Sequence, residues 1–436
     1  MKTAKGITII ILSSLMFFGL VSTLLDNGEE ERKMFENAIA QAKVYEEKGL
    51  YQLAIKEYEI AINIQDSEEL RDMLLNVYEK RYEEAPNSVS QYLFAVENAI
   101  NMYPSNSKYY VIIAELYMKN NEYQTAYEYL DKAKTNGIKS KEMDALYTKV
   151  KYSFNLDWYT YSDFLPATNG LYAVQKDEKW GYIDENGLGK TDIKYSFVSQ
   201  VGDEGIRILY GDQKNIIDKE DVVRGKLSFE PEEAGVYSEG LISMCNDKSY
   251  GYYDSYGEYQ FGEYNQASKF SNGKAAVKEK QWLLIDKEGK KVSKETYQDI
   301  RINNDDSYIY RNVMIAQKDG KYKLYDQDEN LISTFECDDV DIITDDELIA
   351  YKQGGKWGFV DTKGEVKIEP TYDEAKSFSN GLAAVCKGDK WGFIDLSGKL
   401  VIDYMFIDAD YFNCEMNCMV KTSNSIWQLL CINVEF

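Results

Sequence analysis

Short apolar runs with a period of two, separated by turn dipeptides, recur from about residue 160 to the end of the chain. The clearest copy is Gly381 to Gly398, GLAAVCKGDKWGFIDLSG. Leu382–Val385 and the alternating Lys390–Asp395 flank a tight-turn dipeptide, a pattern that predicts a β-hairpin. Asp395 and Gly398 fit a turn in which Asp bonds its own backbone and Gly accepts a positive φ. A third strand, Lys399–Ile402, is expected next.

Both faces of this hairpin are apolar. Period two places Trp391 and Phe393 on one face and Gly392 and Ile394 on the other. Each face must therefore be covered by something else, and an isolated hairpin would be only marginally stable.

The same motif repeats every 32 to 40 residues. Its last Asp recurs as Asp184, Asp218, Asp254, Asp286, Asp326, Asp361 and Asp395, with Cys431 in a degenerate eighth copy. Four residues earlier an aromatic side chain fills seven of eight places: Trp180, Tyr250, Trp282, Tyr322, Trp357, Trp391 and Trp427. Self-similarity at this period predicts a repeat architecture of about eight antiparallel β units. We expect the aromatic positions to pack in its core.

Two segments, Lys356-Trp357-Gly358-Phe359-Val360-Asp361 and Lys390-Trp391-Gly392-Phe393-Ile394-Asp395, closely resemble the WG (KWG) β-repeat family of bacterial proteins. Copies two, four, five and eight depart from the pattern: Lys214 and Asn215 replace Trp-Gly, and Leu283, Lys323 and Gln428 replace Gly. The resemblance implies a binding or scaffolding module without known chemistry, and it names no ligand.

The phase of the array leaves two architectures open. Tyr161–Gly170 matches the segment that precedes a repeat, as in Tyr372–Gly381, whereas the eighth copy reaches Phe436 without its own third strand. A ring closed by strand exchange, as in propellers, would need this shift. An open, curved β-solenoid with a borrowed capping strand fits equally well.

Residues 29–153 have a helical period. Ala42, Gly49, Ala54 and Ala61 recur 72 residues later as Ala114, Asn121, Ala126 and Ala133, and a weaker copy lies between them. The spacing of 72 is two periods of 34 residues plus a four-residue insertion. Small residues that recur with this period predict paired helices that cross at those residues. The residues resemble tetratricopeptide repeats. Ser140 is predicted to cap a seventh helix, Lys141–Ser153.

Tetratricopeptide arrays often hold an extended peptide in a groove. The positions expected to face such a groove are Glu36, Ile39, Lys43 and Glu46 in the first copy, with Lys108, Val111, Glu115 and Met118 in the third. A solvated helix face without a partner is the other interpretation.

Gly6–Leu25 contains twenty residues without a charge, preceded by Lys2 and Lys5. A helix of about 20 residues spans the hydrocarbon core of a bilayer, so we predict a membrane anchor in residues 1–28. A cleaved signal peptide is the alternative. The basic start favours an inside amino terminus, which would place the remaining domains outside the membrane.

Composition removes several classes of function. The net charge of −24 argues against nucleic acid and is compatible with a cationic partner. The chain has no His, which excludes His-based triads and imidazole catalysis. Carboxylate pairs such as Asp338-Asp339 are expected to lie in loops, where water solvates their charges. The six Cys are expected mainly as free or buried thiols, with one disulfide or a metal as alternatives.

The predicted fold class is therefore multidomain α plus β: an anchor (1–28), an α-solenoid of tetratricopeptide-like helix pairs (29–153) and an all-β WG-type domain (160–436). The expected function is a membrane-anchored bacterial binding or scaffold protein of the cell envelope with a protein partner. Binding of cell-wall glycan through exposed aromatics is the alternative, and a glycan hydrolase is a distant one. We expect no enzyme, catalytic residue, metal or cofactor.

Overall fold

The structure, a computed structural model, describes residues 28–435. They form two compact units, a helical unit of residues 28–151 with 434–435 and a β unit of Tyr152–Asn433. The predicted anchor segment, Gly6–Leu25, lies outside the described residues. Within 28–435 no helix has both the length and the apolar composition to cross a bilayer.

The helical unit contains seven described helices. They are α1 (28–47), α2 (Tyr51–Ile64), α3 (Glu68–Glu84), α4 (Val89–Met102), α5 (Ser107–Lys119), α6 (Tyr123–Thr135) and α7 (Lys141–Lys151), with a 3₁₀ turn at Pro86–Ser88.

The helical unit contains the small side chains that mark the predicted 72-residue period. All of its small positions are fully buried: Ala42, Ala54, Ala61, Ala99, Ala114, Ala126 and Ala133 are 0% exposed. Gly49 and Asn121, 72 residues apart, both adopt a left-handed φ, of 70° and 61°, in the turn between paired helices. Small side chains at these sites let the helices approach closely.

Side-chain caps fix where several helices begin. The Ser67 and Asn106 side chains accept from the backbone N–H groups of Leu70 (3.2 Å) and Lys108 (3.0 Å). Ser140 accepts from Met143 N at 3.0 Å, which confirms the predicted cap of α7.

The β unit consists of eight sheets in chain order, and β1 (Phe154–Leu156) precedes them. Blade 1 contains β2 (Asp163–Thr168), β3 (Leu171–Lys176) and β4 (Lys179–Asp184); blade 2 contains β5 (Phe197–Val198), β6 (Arg207–Tyr210), β7 (Lys214–Ile217) and β8 (Val223–Lys226). Blade 3 contains β9 (Glu233–Ala234), β10 (Ile242–Asn246), β11 (Ser249–Tyr253) and β12 (Tyr259–Tyr264); blade 4 contains β13 (Gln266–Ala267), β14 (Ala275–Lys278) and β15 (Trp282–Ile285).

Blade 5 contains β16 (Asp299–Ile300), β17 (Val313–Lys318) and β18 (Lys321–Asp326); blade 6 contains β19 (Asp339–Val340), β20 (Leu348–Gln353), β21 (Lys356–Asp361) and β22 (Val366–Tyr372). Blade 7 contains β23 (Glu374–Ala375), β24 (Leu382–Lys387), β25 (Lys390–Asp395) and β26 (Leu400–Phe406); blade 8 contains β27 (Asp408–Ala409), β28 (Asn417–Ser423) and β29 (Ile426–Ile432). A second 3₁₀ turn lies at Asp203–Gly205.

The predicted hairpin is confirmed in blade 7, where β24 and β25 pair in register from Leu382 and Asp395 to Lys387 and Lys390. The third strand forms as β26. The sequence did not predict β23, a two-residue first strand, and six other blades also begin with a two-residue strand. Tight turns such as Gly388-Asp389 lie at one rim of the blades, which we call the hairpin rim. The Asp turns lie at the opposite rim, the Asp rim.

The Asp turn predicted for Asp395 recurs in seven blades. One carboxylate oxygen of each Asp accepts from the backbone N–H groups two and four residues later, at 2.8–3.1 Å. Three residues after the Asp, Gly398 has a φ of 81° and Gly364 a φ of 84°. These bonds explain why Asp and Gly recur at this spacing.

The Gly of the WG pair makes room for the next strand. A Cβ at Gly392 would stand 2.6 Å from the carbonyl oxygen of Ile402, and one at Gly358 would stand 2.6 Å from Pro370 N. At both places the pairing with the outer strand shifts register, as at a β-bulge. Isolated bridges stand in place of an outer strand in blades 4 and 5, where Leu283 and Lys323 replace this Gly, and also in blade 1, which keeps Gly181.

The blades close into a ring. Each of eight apolar clusters joins two consecutive blades. The closing cluster joins Tyr172 and Val174 of blade 1 to Met419, Trp427 and Leu429 of blade 8. The domain is an eight-blade β-propeller, so the open solenoid is excluded.

The closing strand comes from the segment between the two predicted domains, after residue 153 and before residue 160. β1 pairs with β29 as the outer strand of blade 8, with Asn155 opposite Cys431. Tyr161 and Trp427 then exchange two backbone hydrogen bonds, of 2.9 and 2.8 Å. The β unit thus begins near Tyr152, before the predicted boundary at residue 160, because a three-residue strand without its partner carries no sequence signal.

A candidate binding cleft at the propeller axis

The first strands of the blades surround the propeller axis. The loops that follow these first strands form hydrogen bonds between blades that are not neighbours. Gln200 of blade 2 donates to the Asn304 carbonyl oxygen of blade 5 (2.8 Å), and Tyr411 of blade 8 donates to Asp341 of blade 6 (2.7 Å). Polar groups of several blades therefore meet at the axis.

A cleft of about 530 Å³ lies there among blades 3 to 6, and we call it the channel cleft. It contains the first strands of blades 4, 5 and 6. Its aromatic side chains are Tyr250, Trp282 and Trp357, and its charged ones are Asp299, Arg301, Asp306, Asp339 and Asp341. Four carboxyl groups and one guanidinium make the lining acidic.

Arg301 lies between two of these carboxylates. Its guanidinium forms ion pairs with Asp339 and, at 3.6 Å, with Asp299. It also lies over the Tyr322 ring, 4.6 Å from the centroid, and Tyr322 OH donates to Asp299 at 2.6 Å. Asp339 was expected in a loop but lies in β19, facing the cleft. Arg301 is thus held in place by its neighbours and neutralises only part of the lining.

Two indole N–H groups of the cleft are unpaired. Trp282 is only 4% exposed and Trp357 is half-buried, yet neither Nε1 has a hydrogen-bond partner among the described residues, nor does Arg301 Nε. Lys278 and Lys352 lie over the two indole rings, 5.6 and 5.9 Å from their centroids, and neither lines the cleft. All three nitrogens are closed to solvent, so they lie in the packed wall and do not face the open space of the cleft.

Asp306 is the most perturbed carboxyl group of the cleft. Burial raises its pKa to about 7, although the Val236 N–H (3.1 Å) and the nearby Lys269 oppose this. The folded protein therefore binds this proton more tightly than the unfolded chain does. The group's contribution to stability is largest below pH ~4 and is lost as the pH rises through about 7.

The substitution Asp306→Asn should therefore stabilise the propeller at pH 8, by about 1–2 kcal/mol, and reduce its loss of stability between pH 5 and pH 8. Urea unfolding followed by tryptophan fluorescence measures this, because all six Trp lie in the β unit. Asp389→Asn, at an exposed hairpin turn, is the control. An unchanged pH profile in Asp306→Asn would contradict this assignment.

The groove residues predicted in the helical unit lie in different surroundings. Glu36, Lys43, Lys108 and Glu115 are exposed, whereas Ile39, Glu46 and Met118 are half-buried. Val111 is only 6% exposed, because α5 is covered on several sides. Glu46 is occupied by Lys80 (2.8 Å) and Tyr58 (3.2 Å).

Of that predicted set, Lys108 lines a helical cleft of about 600 Å³ between α3 and α5, where its Nζ lies 2.8 Å from Asp72. The sequence prediction missed the α3 side of this cleft because the middle repeat is the weakest.

The sequence prediction also missed the charged residues of the channel cleft. A signal existed, because an acidic or polar residue often stands two places after the aromatic that recurs in the outer segment, as in Tyr297 and Asp299 or Tyr372 and Glu374. The repeat positions themselves are packed: Trp282, Tyr322, Trp391 and Trp427 are buried, and Trp180, Tyr250 and Trp357 are half-buried. Asp184, Asp361 and Asp395 form Asp turns.

Comparison with protein families supports the repeat assignment. The family model described as WG containing repeat matches residues 159–180, 324–357, 357–391 and 391–424. The propeller contains WG repeats. These matches lie outside the helical unit, where the tetratricopeptide assignment stays a prediction. No curated protein matches the chain.

Several solved structures are similar at low identity. KlHsv2 with loop 6CD replaced by a Gly-Ser linker is 10% identical, covers 56% of this chain and 93% of its own, and has a TM-score of 0.37. A eukaryotic initiation factor is 13% identical over 64% and 88% of the two chains (TM-score 0.41), and the Neurospora crassa Pan2 WD40 domain is 9% identical over 62% and 88% (TM-score 0.34).

Proposed function

We propose that this chain is a membrane-anchored binding or scaffold protein of the bacterial cell envelope, with its repeat domains outside the membrane. The observation that carries the binding role is the channel cleft, where four blades bring carboxylates, a guanidinium and aromatic side chains together. Side chains from distant parts of the sequence form a site that no single repeat could form. The WG repeats support the same role.

In this binding role the protein needs no catalytic residue. Each carboxylate of the channel cleft already has a partner within the protein, namely Arg301, Tyr322, Tyr411 or a backbone N–H group. The anchor is supported by the uncharged segment Gly6–Leu25.

Site-specific photocrosslinking in living cells tests the binding role. A benzophenone amino acid at Gln281, beside Trp282 at the hairpin rim, should give a discrete crosslinked product that mass spectrometry identifies as one recurrent protein. The same probe at Leu396 is the control. This side chain is exposed and lies at the Asp rim of blade 7, which does not line the cleft.

A probe at Glu115 tests the helical unit, with Lys132 on α6 as its control. Equal, diffuse labelling at all four positions would contradict the proposal.

Protease added to intact cells tests the location. With a tag after Phe436, external protease should remove the tag before lysis. Protection until lysis would instead place the repeat domains in the cytoplasm.

A second candidate, binding of cell-wall glycan, is favoured by four exposed aromatic side chains. Trp158 is 96% exposed, and Tyr159, Tyr256 and Tyr259 are 55–64% exposed. Aromatic rings can stack on sugar rings. In the crosslinking experiment this candidate would give no protein product. Sedimentation with purified peptidoglycan, abolished by Trp158→Ala with Tyr159→Ala, would then identify it.

A further inference from the structure

We propose that the loop between the first and second strands of blade 5 is a plug that closes the propeller axis and is released when Asp306 ionises. This plug loop comprises residues 301–312. It would operate whether or not the channel cleft binds a partner.

The plug loop is longer than its counterparts. It takes twelve residues, whereas the same connection takes six to eight in blades 2–4 and 6–8. The insertion accounts for the spacing of 40 between Asp286 and Asp326, the longest in the array.

Polar contacts tie the plug loop to four other blades. Their lengths are 2.7–3.2 Å, and the partners are Gln200 of blade 2, Val236 of blade 3, Lys269 of blade 4 and Ile343 of blade 6. The plug residues that take part are Asn303, Asn304, Asp305 and Asp306. Blades 2 and 3 are not neighbours of blade 5, so the loop crosses the axis.

The plug loop also divides the axial channel. Ile302 and Asp306 line the channel cleft, whereas Asn303, Asn304 and Asp305 line a second cleft of about 360 Å³, formed with blades 1, 6, 7 and 8. Neighbouring residues of one loop therefore line two different clefts, which the loop separates.

Asp306 is the latch that holds the plug loop in blade 3. Its carboxyl group lies against Gly235, where a Cβ would collide with both Asp306 Oδ2 and Ser243 Oγ. Ser243 is 0% exposed, so the carboxyl group reaches a part of blade 3 that is closed to solvent. Within the described part of the chain no ion pair neutralises Asp306, and the nearby Lys269 is bound to Asp305 at 2.7 Å.

Burial raises the pKa of Asp306 to about 7, whereas release into water would return it to about 4. Lys269 opposes this rise and Asp305 adds to it. Burial also raises the pKa values of Tyr250 and Tyr252 of β11, so both phenols stay neutral near pH 7. The charged groups across the channel cleft are Asp299, Arg301, Asp339 and Asp341.

The closed plug loop therefore binds the proton of Asp306 more tightly than the released loop does. The stabilisation of the closed state is complete below pH ~4 and is lost as the pH rises through about 7. Between pH 6 and pH 8 the equilibrium constant for release should rise about tenfold.

Hydrogen–deuterium exchange of the purified full-length chain in detergent tests the latch. The exchange rate at pH 6 and at pH 8 is divided by the intrinsic rate of an unstructured peptide at the same pH. We expect the plug loop, together with the Val236 and Ile343 N–H groups that donate to it, to exchange about tenfold faster at pH 8 after this division. At both pH values the plug loop should be at least about tenfold less protected than β24, because local release is easier than unfolding of the propeller.

Three variants assign the effect. Asp306→Asn keeps the shape of the side chain but cannot ionise, so the difference between pH 6 and pH 8 should disappear. Asp345→Asn is the matched control: Asp345 accepts from Tyr310 OH of the plug loop but is 60% exposed, so the tenfold difference should remain. Gly235→Ala should displace the latch and give fast exchange of the plug loop at both pH values.

Equal exchange of the unsubstituted plug loop at the two pH values, or an unchanged difference in Asp306→Asn, would overturn the inference. Equal protection of the plug loop and β24 would overturn it as well, because the whole propeller would then open together. If Gly235→Ala fails to fold, the comparison of Asp306→Asn with Asp345→Asn still decides.

Discussion

The variant Asn155→Cys should form a disulfide with Cys431 and lock the propeller ring shut. Asn155 in β1 lies directly opposite Cys431 in β29. Antiparallel partners have Cα atoms about 4.5–5.5 Å apart, within the range that a disulfide spans. Because the bond would close a loop of about 280 residues, we expect about 3–5 kcal/mol of stabilisation, which reduction should reverse.

Burial raises the pKa of the Cys431 thiol to about 11, so spontaneous oxidation should be slow and a copper-phenanthroline catalyst at mildly alkaline pH is appropriate. Thiol titration and the urea midpoint, with and without reductant, measure the outcome. Leu156→Cys is the matched control, since its side chain points to the other face of the strand and its partner is Leu430. Equal oxidation of both variants, or none in Asn155→Cys, would contradict the described closure.

The variant Gly358→Ala should destabilise the propeller by about 2–3 kcal/mol. The added Cβ would collide with the carbonyl oxygen of Ile368 and the nitrogen of Pro370, which are backbone atoms of the outer strand and cannot rotate away. The strand would have to move outward, and the bulged pairing between β21 and β22 would be lost.

Gly189→Ala is the control for this second prediction. No atom lies within 4 Å of a Cβ built at Gly189, and its φ is not in the left-handed region, so the substitution should change the urea midpoint little. Tryptophan fluorescence follows the unfolding of the propeller in both variants. If the two substitutions cost the same, the close approach of the outer strand does not explain the Gly of the WG pair.

The local features of each blade could be predicted because their causes lie within a few residues. The hairpin of Leu382–Asp395 follows from alternation and a tight turn. The turn at Asp395 follows from a carboxylate that bonds backbone N–H groups two and four residues later. Likewise, Ala42 and Ala114 indicated helix crossings because a small side chain has a steric role that repeats with the period.

Features that depend on distant residues could not be predicted. A two-residue strand such as β19 is stable only beside β20 and inside the ring, and β1 has no partner until β29 is in place. Asp299 and Asp339 are forty residues apart in sequence, and only the ring geometry brings both to Arg301. Val111 follows the helical period of a groove position, but α5 is packed on several sides, which one helix in isolation does not reveal.

The pairing of β1 with β29 has a consequence for how the protein is made. The segment that completes blade 8 is synthesised before any blade, and it must wait for Ile432 while some 270 residues follow. During translation the early blades therefore exist as an incomplete arc, with one face of blade 1 bare and β1 without its partner strand. An arc of this kind is open to wrong pairing with another nascent copy, since every blade offers a similar edge. The ring can become a single cooperative structure only after its last strand leaves the ribosome.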